Sequence, residues 1–127
     1  MCCTERIKTI LSQYPALRGE YELRKALRLN PDRDGEERLL KKKIDVIEAM
    51  LLLLTGEERF VIMKHLGDKL AWPLLAVEYE KRWGTDQARH DRTLKRFQAR
   101  ALEKIAVGIE KWEMAPEIEE LFQTNHN

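Results

Sequence analysis

The chain is 127 residues long, 43% hydrophobic and 35% charged, with 23 basic and 22 acidic residues and a formal net charge of +1. That length accommodates one domain with a modest core and excludes two independent ones, and the composition is that of a soluble, helix-rich globular protein rather than a disordered tail. Near-neutral charge points to no anionic partner by itself, and two adjacent cysteines, Cys2 and Cys3, exclude a disulfide scaffold and fit a reducing compartment.

The longest apolar run, Ala49 to Leu54, falls far short of a membrane span, and the N-terminus has no basic region followed by a hydrophobic signal core. The expected location is therefore the cytoplasm, without a membrane partner. Apolar positions recur at three and four with no period-two alternation, which predicts an all-α fold, a helical bundle. Two helices are expected over Glu5–Gln13 and Ala16–Leu29, separated at Pro15, followed by a polar turn, Asn30–Gly35. A longer helix over Glu36–Leu54 carries an apolar stripe of Leu39, Leu40, Ile44, Ile47, Met50, Leu51 and Leu54, suited to a core or to the seam of a homodimer. Lys41, Lys42 and Lys43 point in different directions around it and read as a solvated face.

Thr55 and Glu58 have capping-box spacing, so a new helix starts there, runs through Phe60, Val61, Ile62 and Leu66, and is expected to close at a left-handed Gly67. Trp72 and Pro73 open the next, with Leu74, Leu75, Ala76, Val77 and Tyr79 on its buried side and Gly84 at its end. Thr85 or Asp86 then caps a helix that can continue to Lys111, and after Pro116 a short amphipathic segment, Glu117–Gln123, closes the chain.

Along the helix expected from Thr85 to Lys111, a step of about 100° per residue puts Arg89, Arg92, Arg96 and Arg100 in a stripe about 80° wide, with Leu94, Phe97, Ala101 and Ile105 on another side. Between Lys81 and Lys104 stand eight basic residues against three acidic ones, although the whole chain sums to +1. The planar guanidinium fork grips a phosphate, or the O6 and N7 edge of guanine, at two points. An exposed helix face is also commonly rich in Lys and Arg, and Asp91 stands one turn from Lys95, which is ordinary surface electrostatics. The order of elements tips the balance: a capped helix, a turn, a second helix, a glycine turn and a longer basic helix follow the plan of a helix-turn-helix.

Leu54 to Ala106 resembles the region 4 domain of sigma factors and, more closely, the phage and prophage transcriptional regulators of the ArpU and RinA kind. The residues that carry the resemblance are Leu54, Glu58, Arg59, Val61 and Ile62; then Trp72, Leu75 and Ala76; then Arg100, Ala101, Leu102, Lys104, Ile105 and Ala106. Ala71 stands where those families often place a Ser or Thr cap, and Gly84 follows Ala76 at a longer interval than their pattern has, implying an extra helical turn or a longer connection.

The resemblance implies a sequence-specific, DNA-binding transcriptional regulator of phage derivation, with a sigma-like helix-turn-helix whose basic recognition helix lies in the major groove of double-stranded DNA, and RNA polymerase as a further partner. It implies base reading by Gln87, Arg89, His90 and Arg92 and phosphate contacts by Thr85, Lys95, Arg96 and Arg100. On this plan residues 1–54 are an N-terminal helical assembly region, 55–111 the DNA-binding region and 112–127 an acidic C-terminal tail.

Two rival functions fit the same helices. One is a protein-interaction module docking on RNA polymerase or another regulator through the amphipathic end from Trp112 to Phe122, and the other is the recognition subunit of a phage packaging machine. Trp72, Trp83 and Trp112 read as core or interface rather than base-stacking platforms. Ser12 is the sole serine, His65, His90 and His126 lack metal spacing, and no glycine-rich phosphate loop is present, so the expectation is no enzyme, no catalytic residues, no metal and no cofactor.

Overall fold

Pro15, Pro73 and Pro116 each fall in the first turn of a helix, where the missing amide proton breaks no intrahelical bond. They open helices instead of separating them. The computed structural model describes residues 3–27, 35–85 and 89–123, and the regular structure among them is entirely helical. In chain order it comprises α1 (Thr4–Ser12), α2 (Tyr14–Ala26), α3 (Glu36–Leu51), α4 (Gly56–Val61) continuing as a π-helical segment (Ile62–Gly67), α5 (Trp72–Trp83), α6 (Asp91–Lys111) and α7 (Ala115–Leu121). Among the described residues no helix is long and apolar enough to cross a membrane.

The main core gathers Ile7, Ile10 and Leu11 from α1, Ile47, Met50 and Leu51 from α3, Ile62 and Leu66 from the π segment, Ala101, Leu102, Ile105 and Ile109 from α6, and Ile118 with Phe122 at the C-terminal end. Burial of this apolar surface is what holds the helices together. Arg6 of α1 ties the C-terminal end in place: its Nε donates to Glu119 Oε1 at 3.1 Å and its Nη2 to the Phe122 carbonyl at 2.6 Å. Residues on both sides of positions 54 and 111 thus share one core, and the acidic segment is part of the packed body as far as Phe122.

A second, smaller core forms where α4, α5 and the start of α6 meet. Val61, Leu75, Tyr79 and Leu94 are wholly buried there, with Phe60, Trp83 and Phe97 packed against them. Tyr79 stacks on Trp83 with centroids 4.6 Å apart, and Phe60 meets Trp83 edge-on at 5.0 Å. The Tyr79 hydroxyl donates to the carboxylate of Glu57, which relieves its burial of an unpaired polar group.

The capping box is present as the sequence predicts. Glu58 N donates to Thr55 Oγ1 at 3.1 Å and Thr55 N to Glu58 Oε1 at 2.9 Å. Arg59 reaches back to the end of α3 and the turn after it, donating to the carbonyls of Leu51 and Leu54 at 3.2 Å each. Helix α3 ends at Leu51 rather than Leu54, and Leu52 and Leu53 in the turn that follows are exposed.

Other expectations are corrected. Gly67 does not take the left-handed conformation; Lys69 does, at φ 59°. A π turn encloses one more residue per hydrogen bond than an α turn, as in Asp68 N to Met63 O at 2.9 Å, and the closing position moves along the chain. Gly67 instead lies against Pro15, whose Cγ would be 3.6 Å from an added Cβ. Leu39, Leu74 and Val77 are exposed, because the arcs buried on α3 and α5 are narrower than their apolar faces. Trp112 is half-exposed as well.

Candidate nucleic-acid interface

Helix α6 is anchored along one side and open along another. Leu94, Ala101, Leu102 and Ile105 are buried, which fixes the rotation of the helix about its axis and turns Arg92, Lys95, Arg96 and Arg100 to solvent. Arg92, Arg96 and Arg100 follow one another at four-residue spacing and extend about 12 Å along the axis. Among the described residues, no carboxylate is paired with any of the three. Asp91 sits in the first turn, where its charge favours the positive end of the helix dipole.

The start of the helix differs from the sequence expectation. α6 begins at Asp91, with His90 as its N-cap in an extended conformation at φ −80° and ψ 160°, whereas Thr85 or Asp86 was the expected cap. Arg89 therefore precedes the helix, and the stripe on α6 contains three arginines instead of four. Arg89 is half-buried, and its guanidinium lies 6.0 Å from the centre of the Tyr79 ring. His90 is exposed and its side chain makes no capping hydrogen bond. Thr85 is also exposed, just after Gly84, which turns the chain at φ 91°. Gln87 lies outside the described residues.

Lys95 has a neighbour that spacing alone does not disclose. Its Nζ stands 6.0 Å from the Trp72 ring, and Trp72 stacks on His65 with centroids 3.7 Å apart. His65 is in turn fixed by a 3.0 Å hydrogen bond between Nδ1 and the Leu70 carbonyl. The π segment, the turn after it and the start of α5 thus form one support beneath the exposed lysine. Ala71, the N-cap of α5, provides no side-chain hydrogen bond, so Trp72 is held by this stacking and not by a cap.

Lys104 leaves the cationic face. It donates to Glu58 Oε1 at 2.7 Å, and Glu58 is only 3% exposed. Burial pushes the Glu58 carboxyl up, but the Lys104 hydrogen bond, the Thr55 amide and hydroxyl, and the Lys104 charge outweigh it and hold the group below its ordinary value. Glu58, Arg59 and Lys104, three residues of the motif behind the sigma-like resemblance, are joined by these contacts to the body of the protein. They join α3, α4 and α6, and their roles are architectural.

The site that results is a row of exposed cations, Arg92, Lys95, Arg96 and Arg100, on a rigid helix preceded by the half-buried Arg89 and the exposed His90, and such a row attracts a polyanion. Compared with protein-family models, curated proteins and solved structures, the chain has no match.

Proposed function

We propose that the protein is a sequence-specific DNA-binding transcriptional regulator, with α4 and its π segment, α5 and α6 serving as a sigma-like helix-turn-helix of the kind found in phage regulators. The N-terminal half of α6 enters the major groove of duplex DNA. Arg92, with Arg89 and His90 at the leading end, meets base edges, while Lys95, Arg96 and Arg100 hold phosphates. The observation that carries this is the exposure of Arg92, Arg96 and Arg100, unpaired among the described residues, on a helix whose opposite side is fixed in two cores. The connection between α5 and α6, from Gly84 to His90, is longer than a tight helix-turn-helix turn, which leaves the angle of α6 to the groove set by the second core.

Docking through the segment from Trp112 to Phe122 has less support, because Ile118 and Phe122 are buried and Glu119 is held by Arg6. Selection of bound fragments from a random duplex pool tests the proposal. Enrichment of one motif, contacted at guanines opposite Arg92, is expected; a pool that stays random after several rounds rules out sequence-specific recognition.

A further inference from the structure

Toward the C-terminal half of α6, Leu53 and Trp112 form a ridge between two shallow grooves. The first, about 590 Å³, is apolar, floored by Val46, Met50, Ile105 and Ile109, and its rim carries Glu113 and Glu117. The second, about 470 Å³, contains Val107 and Gly108 and is rimmed by Arg100, Lys104 and Lys111, with Glu103 as the one acid among its lining residues. Apolar surface is open to solvent along the whole strip: Leu53 is 37% exposed, Met114 46%, Trp112 51% and Val107 54%.

Gly108 explains how the ridge is made. A Cβ at this position would lie 2.9 Å from Trp112 Cζ3 and 3.5 Å from Leu53 Cδ1, so only glycine lets the indole lie down on the helix beside Leu53. A glycine inside a helix costs about 1 kcal/mol relative to alanine. Here it displays a half-exposed tryptophan, the residue type most often found at the energetic centre of an interface.

We infer that this face is the contact between two copies of the chain, related by a two-fold axis through the Leu53–Trp112 ridge. A two-fold interface must be complementary to itself, since every surface on one copy meets its counterpart on the other across the axis. An apolar ridge with acids on one flank and bases on the other meets that condition. Rotation about the ridge lays Glu113 and Glu117 of one copy against the basic flank of the other, twice over, while the indoles and Leu53 side chains pack at the axis. A partner of different sequence would place no such demand on the two flanks. The inference does not rest on DNA binding, although Arg100 at the edge of the basic flank is also one of the proposed phosphate contacts.

Its test uses the full chain in the absence of DNA, with mass measured by light scattering and sedimentation over a range of concentrations. The chain is expected to associate reversibly to twice its 15.0 kDa. Glu113→Lys with Glu117→Lys makes both flanks basic, and Arg100→Glu with Lys111→Glu makes both acidic. All four side chains are exposed, so circular dichroism should stay unchanged in each variant. Each variant alone should self-associate at least about tenfold more weakly, and an equimolar mixture of the two should recover a dimer, because opposite flanks then face each other. A single-chain mass at every concentration overturns the inference. So does a dimer indifferent to both reversals, or a mixture that fails to recover.

Discussion

The cations on α6 make a quantitative demand on salt dependence. Arg92, Lys95, Arg96 and Arg100 are the exposed basic side chains of its leading half. If Lys95, Arg96 and Arg100 each neutralise one phosphate while Arg92 reads a base edge, log affinity for duplex DNA falls against log salt with a slope of about −2.7, so raising salt from about 50 to 200 mM weakens binding about 40-fold. Replacing Arg92, Arg96 and Arg100 by alanine leaves one cation, a slope of about −0.9 and only about a 3.5-fold loss over the same interval. Alanine favours the helix and the three side chains are exposed, so stability should change by no more than about 0.5 kcal/mol, and lost binding cannot be ascribed to unfolding. Fluorescence anisotropy of a labelled duplex, titrated at several salt concentrations, gives both slopes. A flat response in the unmodified chain, or the same slope before and after the three substitutions, refutes the assignment of these arginines to DNA.

Three further outcomes follow from the two cores and the ridge. Glu58→Ala removes the carboxylate that accepts from Thr55 N in the capping box and leaves Lys104 without its partner, a loss of about 2 kcal/mol that lowers the thermal midpoint by about 6–10 °C; a shift within measurement error would mean that the buried pair contributes nothing. Because the folded Glu58 carboxyl titrates below its ordinary value of 4.5, its ionised form stabilises the fold above that pH, and this contribution is lost as pH falls through the folded pKa. Glu58→Gln should therefore flatten the acid limb of the stability profile, and an unchanged limb would assign acid sensitivity to other carboxylates. Gly108→Ala should stay folded, since helix propensity gains what the displaced indole gives up, but red-shift tryptophan emission and weaken self-association at least about tenfold; unaltered emission and mass would show that the indole does not depend on the glycine.

What could be read in the sequence was local. Thr55 and Glu58 announce the start of α4 because a capping box closes within four residues, and Trp72–Pro73 announces α5 because proline fixes its own backbone. The dry side of α6 was visible in the spacing of Leu94, Ala101 and Ile105. The first residue of α6 was not. Thr85 and Asp86 are good local caps, yet the helix starts after His90, which makes no side-chain capping bond, and Asp86 lies outside the described residues; local cap chemistry ranks His90 below both. Lys104 was not legible either: it has the spacing of a surface cation, but its partner Glu58 is 46 positions away. Hydrophobic periodicity likewise gave the apolar arcs of α3 and α5 and not the narrower parts that neighbouring helices cover, which is why Leu39, Leu74 and Val77 are exposed.

Helix α6 belongs to both cores, and this ties the two proposals together mechanically. Its leading half rests on the aromatic cluster with α4 and α5, and its trailing half is packed against α1 and α7 beside the Leu53–Trp112 ridge. The 21 residues between form one uninterrupted rod, about 31 Å long. Arg96 precedes Trp112 by 16 positions, about 24 Å along the axis, so in a two-fold dimer hinged on Trp112 the two arginine stripes lie at most about 50 Å apart, and closer when the rods cross. One turn of B-DNA, about 34 Å, is within that reach. A dimer built on this ridge is then expected to select paired half-sites one turn apart in inverted orientation, while the variant with Glu113→Lys and Glu117→Lys, which leaves every proposed DNA contact in place, selects single half-sites with weaker affinity. If the chain dimerises through the ridge and still selects a motif without dyad symmetry, the rod does not deliver both stripes to one face of the duplex, and the two surfaces act independently.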